Sequence, residues 1–331
     1  MVKIPQLIYK TVGWLAFALM LTGILFLSSN STNAQASGQA LEISPPVLTL
    51  TADPGETVKT RVLIRNVSRT DLVVSGEAND FVAAGEDGTP KVLLEETEKS
   101  PYSMKEWIFT PTQLTLVPRE IKTMNITIKV PSDASPGGHY GVIRFTGTPP
   151  NLEGQGVSLS ASLGSLILLS VNGDVTEHLA IDEFSINKSG KSGKIFNSLP
   201  LNFVERIKND GNVHERPGGS IVITNMFNKN VATFSYNPAA RYILPGSTRK
   251  FEQPVDKTLV ANKRLFGKYT AKLTVAYGEG ENKTETSTVT FWIIPYKLVT
   301  AILILLVGGF FIFRFIIRRY NRYIVRRSNR H

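Results

Sequence analysis

Few residues of this chain stand where their types and spacing could do covalent chemistry. The histidines of the central region, His139, His178 and His214, form no H-x-x-x-H pair and no histidine–carboxylate pattern of the kind that holds zinc or activates a nucleophile. Cysteine is absent, which excludes thiolate metal centres, cysteine nucleophiles and disulfide frameworks. Glu95 and Glu96 are adjacent, so on a strand they would point to opposite faces and could not act as the carboxylate pair of a glycoside hydrolase. Glu86-Asp87-Gly88 and Asn209-Asp210-Gly211-Asn212 offer oxygens without the spaced carboxylates of a calcium loop. Gly137-Gly138 and Gly218-Gly219 precede no helix whose N-terminus could cradle a phosphate. No catalytic, cofactor-binding or metal-binding residue is therefore assigned, no cofactor is expected, and the expected role is not that of an enzyme.

Recognition is left. The stretch from Asp80 to Trp107 gathers the acids Glu86, Asp87, Glu95 and Glu96 with the aromatics Tyr102 and Trp107. It reads either as a binding loop on a rigid scaffold or as an extra surface hairpin.

The scaffold is written in period two. Met124, Ile126, Ile128 and Val130 alternate with Asn125, Thr127 and Lys129, which buries one face of a strand and wets the other. Similar strands are expected at Val62–Ile64, Gly141–Phe145, Leu166–Val171, Ile221–Ile223, Tyr269–Val275 and Thr286–Ile294. Turn chemistry punctuates them at Asp53-Pro54-Gly55, Ser135-Pro136-Gly137-Gly138, Asn209-Asp210-Gly211, Pro217-Gly218-Gly219 and Leu244-Pro245-Gly246-Ser247. No long helical period interrupts residues 37–297, so the class is all-β.

The two halves of this region share an order of landmarks. Ile64-Arg65-Asn66, Leu116-Val117-Pro118 and Gly138-His139-Tyr140 match Ile207-Lys208-Asn209, Ile243-Leu244-Pro245 and Gly267-Lys268-Tyr269. A Gly-x-Tyr entering an alternating strand after a proline turn resembles the tyrosine corner of immunoglobulin-like sandwiches, so Tyr140 and Tyr269 are read as structural corners. From Asn66 to Pro118 is 52 residues and from Asn209 to Pro245 is 36, which places an insertion in the first half, within Asp80 to Trp107. The expected organisation is a signal peptide over 1–36, a sandwich over 37–175, a second over 176–296, a transmembrane helix over 297–317 and a basic cytoplasmic tail over 318–331, too short to fold on its own. The fold class is thus tandem immunoglobulin-like β-sandwiches with a signal peptide and one membrane helix.

The ends carry the topology. Lys3 and Lys10, an apolar run from Val12 to Leu27 and Ala34-Gln35-Ala36 form an export signal. Leu298 to Ile317 is broken only by Arg314, which can snorkel, and the arginine-rich segment after it is held on the cytoplasmic side. Of the formal charge of +10, the seven terminal arginines and two N-terminal lysines account for all but about one unit, so a nucleic-acid partner is not expected. An exported chain without cysteine points to a bacterial or archaeal cell surface rather than a eukaryotic secretory one.

Ser44-Pro45-Pro46, Asp53-Pro54-Gly55-Glu56-Thr57, Val62 to Asn66, Trp107 to Pro111 and Val130 to Gly138, together with the whole-chain layout, resemble the WxL-interacting surface proteins of Gram-positive bacteria. That resemblance implies binding to cell-wall peptidoglycan, to a partner surface protein, or to both, from a single-pass protein of the cell membrane with its ectodomain outside. The alternative reading is an assembly chaperone-like adaptor that engages secreted subunits by β-strand addition.

Overall fold

The computed structural model describes residues 40–95, 97–98, 100–111, 113–148, 161–258, 260 and 265–328. The expected export signal and Glu96 lie outside them. The first half contains β1 (Leu41–Ser44), β2 (Val47–Ala52), β3 (Thr57–Asn66), β4 (Leu72–Ala84), β5 (Thr89–Leu93), β6 (Ile108–Phe109), β7 (Gln113–Leu116), β8 (Ile121–Lys129), β9 (Gly137–Thr148) and β10 (Ala161–Val171). The second contains β11 (Leu179–Lys188), β12 (Lys191–Ser192), β13 (Ile195–Phe196), β14 (Leu201–Asn209), β15 (Gly218–Asn225), β16 (Asn230–Ser235), β17 (Thr248–Val255), β18 (Gly267–Tyr277) and β19 (Lys283–Ile293), followed by the helix α1 (Tyr296–Ser328). Two single 3-10 turns, Lys105–Trp107 and Glu279–Glu281, are the other helical elements among the described residues.

Each half makes two sheets. In the first, β1-β3-β8-β6 faces β2-β10-β9-β4-β5, with β7 also pairing β4. Val62, Ile64, Met124, Ile126 and Ile128 of one sheet and Val74, Ile143, Phe145, Ile167 and Leu169 of the other are almost wholly buried, as their alternation requires. In the second half, β12-β11-β14-β17 faces β13-β19-β18-β15-β16 over a single core that includes Leu201, Phe203, Ile207, Ile221, Ile223, Leu273, Phe291 and Ile293.

One topology is written twice. The run β1-β3-β8 corresponds to β11-β14-β17, and β2-β10-β9-β4 to β13-β19-β18-β15. In each half a short strand crosses to the facing sheet and pairs in parallel with the last strand, β2 with β10 and β13 with β19. Matching landmark residues do matching work. The buried Asn66 amide donates to the carbonyls of Thr70, Leu116 and Val117, and its oxygen accepts from Ser68. Asn209 donates to Val213 and Ile243 and accepts from the Gly211 N–H. Each asparagine clasps the end of its strand to a loop distant in sequence.

Three expectations change. Ser135-Pro136-Gly137-Gly138 is not a turn throughout, since Gly137 and Gly138 already open β9 and pair with Val171 and Ser170. Pro217-Gly218-Gly219 is not a turn: Gly218 and Gly219 open β15, and Gly219, at φ +133°, brings the backbone so near the Thr274 carbonyl that a Cβ would sit 2.0 Å from it. The basic tail is also not unfolded. α1 runs to Ser328, because a helix already nucleated by its apolar part, Tyr296–Tyr320 with mean hydropathy 2.5, propagates at little further cost. That apolar part is long enough to cross a bilayer.

Candidate functional site

The halves meet over the outer face of β9. Tyr140, Val142, Phe81 and Leu168 form an apolar patch on that face, overlain by Tyr242 and Leu244 from the second half. Beside them Val47, Phe81, Leu166 and Leu168 on one side, and Arg241, Tyr242 and Arg249 on the other, line a cleft of about 270 Å³. Glycines allow the approach: the Gly138 N–H donates to the Asn212 carbonyl at 2.7 Å, and a Cβ on Gly137 would lie 2.6 Å from that oxygen. Thr49 and Tyr242 share a hydroxyl–hydroxyl hydrogen bond of 3.0 Å across the cleft.

Within the expected insertion β4 and β5 form a hairpin, matched in sheet order by β15 with β16, and the tip of this first-half hairpin reaches the second half. There Glu86 pairs with Arg206, the Lys250 N–H donates to the Glu86 carbonyl at 2.7 Å, and Arg249 donates to the Asp87 carbonyl at 3.0 Å and to the Tyr242 carbonyl at 2.6 Å. The Asp87 carboxylate accepts from the Thr89 N–H and hydroxyl, which hold it below the usual carboxylate range. At Gly88 the φ of +70° strains any side chain, and a Cβ would stand 2.3 Å from the Arg249 guanidinium, which would have to move aside. Tyr102 packs edge-on against Tyr140 at 5.7 Å and accepts the Tyr140 N–H on its carbonyl. Trp107 lies elsewhere, 4.5 Å from the His139 ring, and Glu95 sits in a surface turn whose side chain meets Thr97. The structure therefore gathers Glu86, Asp87 and Tyr102 at the junction and leaves Glu95 and Trp107 apart.

The corner tyrosines also differ. The Tyr269 hydroxyl accepts from the Phe266 N–H and donates to the Phe266 carbonyl, whereas the Tyr140 hydroxyl lies over Gly138 toward the His214 backbone without a well-formed hydrogen bond. Arg206, Tyr242 and Arg249 complete the junction and carry no sequence signal, because each is a single polar or aromatic residue in an ordinary strand or turn.

Burial sets the electrostatics. His214, between the Tyr140 and Tyr242 rings at 5.7 and 5.6 Å, is pushed down to about 4 by desolvation and is neutral at physiological pH. Glu205 points into the second core in line with Phe203 and Ile207, has no hydrogen-bond partner, and is pushed up to about 8 by burial. Arg249 is drawn down by burial first and by Arg241 next. A cleft with an apolar floor and two guanidiniums on its wall can hold a ligand; it brings no nucleophile together with a base.

A second feature is an open strand edge. β2 covers six residues of β10, but its counterpart β13 covers only Trp292 and Ile293 of β19. From Lys283 to Phe291 the outer edge of β19 has no ladder partner, the longest such run among the described residues. The Trp292 N–H donates outward to Lys194, so by strand alternation the backbone groups of Thr284, Thr286, Thr288 and Thr290 also point outward. β11 of the facing sheet runs nearby, as β1 does beside β10, where it leaves room for β2.

No protein-family model and no curated protein matches the chain. Solved structures similar to it include the class 5 fimbriae chaperone CfaA, with 16% identity over 76% of this chain and 98% of that one at a TM-score of 0.38. The E. coli chaperone DraB is 14% identical over 76% and 96% at 0.35. The Pseudomonas aeruginosa CupB2 chaperone is 8% identical over 76% and 100% at 0.34.

Proposed function

We propose that the chain is a non-catalytic, membrane-anchored surface adaptor that takes up an extended segment of an exported protein by strand addition on β19. The uncovered edge of β19 carries this reading. Natural edges are blunted by proline, charge or bulges. β17 has Pro254 with Arg249, Lys250 and Glu252, β5 has Pro90 and Lys91, and β16 pairs through an irregular register at Ile223/Thr224. β19 has charge only at its start, in Lys283 and Glu285, and then reads Thr286-Ser287-Thr288-Val289-Thr290-Phe291, a sequence of high strand propensity. The finer fold assignment belongs to the same proposal: two immunoglobulin-like sandwiches over 37–175 and 176–296, supported by the duplicated topology. So does the orientation, with the sheets outside the membrane and the arginines inside.

Thr288→Pro provides the test, because it deletes an outward N–H and spares the β18 ladder. With a photo-crosslinking residue at Thr286 of the full chain in cells, one exported protein should be captured, and Thr288→Pro should abolish the adduct. An adduct unchanged by that substitution would refute strand addition. Resemblance to the WxL-interacting family leaves cell-wall peptidoglycan as the rival ligand. Co-sedimentation with insoluble peptidoglycan that resists salt, with no adduct at Thr286, decides for it.

A further inference from the structure

The sheet β1-β3-β8-β6 carries a charge imbalance that the near-neutral ectodomain as a whole does not. Its strands hold Lys59, Arg61, Arg65, Lys122 and Lys129 against the single acid Glu42. At one end the charge is met, Arg65 by Glu42 at 3.4 Å and Lys122 by Glu120 at 3.3 Å. At the other end Lys59, Arg61 and Lys129 are exposed and form no ion pair among the described residues. They share the outer face. Lys59 stands opposite Thr127, Arg61 opposite Asn125, and Lys129 opposite Thr57, so Lys59 and Arg61 lie about 7 Å apart along β3 and Lys129 stands one strand over, two residues further along the same face. Phe109, 48% exposed and paired with Thr127, places its ring 4.7 Å beneath the Lys129 ammonium. Lys59, Arg61, Asn125 and Thr127 line an open groove of about 630 Å³ on this face.

We infer that this face binds a phosphodiester-linked polymer of the cell envelope, one phosphate to each cation. Three charges spaced along one face suit a chain of repeating anions better than a single ion, and the Arg61 fork matches phosphate oxygens. Asn125 and Thr127 can hydrogen-bond the hydroxyls between phosphates, and Phe109 offers an apolar ledge. The proposal is independent of the strand-addition reading.

The chain has no cysteine, so an environment-sensitive dye on Thr57→Cys of the full chain in neutral detergent reports this face alone, clear of the arginine tail. Synthetic poly(glycerol phosphate) should titrate the signal, and raising salt from 50 to 200 mM should weaken binding roughly twenty- to fortyfold for three contacts. Lys59→Glu with Arg61→Glu should cost about tenfold or more and flatten the salt slope, Phe109→Ala should cost severalfold with the slope intact, and Lys268→Glu with Lys272→Glu on β18 should change nothing. All these side chains are exposed, and an unchanged melting temperature confirms folding; Lys129→Gln is the milder second variant. No titration by the polymer, equal titration by neutral dextran, indifference to the charge reversals, or a stronger response to phosphatidylglycerol vesicles would each overturn the proposal.

Discussion

Glu205 and His214 titrate in opposite directions, and together they set a pH window. The Glu205 carboxyl, near 4.5 when unfolded and about 8 in the core, keeps its proton on folding. Stability therefore falls as pH rises from about 5 through 8, by on the order of 3 to 5 kcal/mol. His214, near 6.5 unfolded and about 4 folded, stays neutral, so stability also falls as pH drops from 6.5 through 4. Burial also pushes Glu215 up to about 7, which adds to the alkaline loss, so chemical denaturation of the full chain in micelles, followed by tryptophan fluorescence, should show maximal stability near pH 5. Glu205→Gln should shrink the alkaline loss to the part that Glu215 supplies, and leave the acid limb; an alkaline limb of unchanged size would show that Glu205 does not set it. The paired asparagines make a second residue-scale test. Asn209→Ala takes the donor from the Val213 carbonyl and the acceptor from the Gly211 N–H, while the Ile243 carbonyl keeps the Glu215 N–H, and should cost roughly 2 to 3 kcal/mol, with Asn66→Ala close to it, measured by the same denaturation. This pair was legible in the sequence as a repeated landmark, although its bonds to Leu116 and Ile243 were not, since they join residues 50 and 34 positions away. Glu205 had no signal: a glutamate in an alternating strand reads as the wet face, and only its parity with Phe203 and Ile207 betrays it.

Strand positions follow from alternation, which is local; sheet partners do not. Met124 to Val130 announces β8 because each second side chain must leave water, and Val62–Ile64, Leu166–Val171 and Tyr269–Val275 announce β3, β10 and β18 in the same way. Of the crossing strands, β13 has two residues, too few to show a period, and the partner of β2, which does alternate over Leu48 to Ala52, lies far along the chain, so the open edge of β19 emerges only when the halves are compared in space. The stretch from Asp80 to Trp107 is legible as an excess of length, but the docking of the hairpin tip inside it is hidden, because Glu86 and Arg206 lie 120 residues apart. Its docking makes a prediction at this scale. Gly88→Ala should push the tip off Arg249, so amide exchange at Lys250 should quicken while exchange within β18 is unchanged. Equal protection at Lys250 would mean that the tip does not brace the junction.

At the scale of the whole molecule, composition located the charge but not its local pattern: removing the terminal arginines from the count leaves a neutral middle, and only the register of β3, β8 and β6 shows three cations along one face. The absence of native cysteine makes the topology directly testable. On intact cells a membrane-impermeant maleimide should label Thr288→Cys and spare Ser328→Cys until the membrane is permeabilised; the reverse pattern would invert the proposed orientation. Only Ile294 and Pro295 separate β19 from α1, and the Pro295 carbonyl already accepts the first helical N–H groups, from Leu298 and Val299. A segment added along β19 would thus be coupled to the bilayer almost without slack. Force on it directed along the strand would load the whole ladder in shear, every hydrogen bond at once, whereas a sideways pull would peel the bonds one by one, so the same attachment would hold against tension from the cell exterior and still release to a partner that approaches from its end.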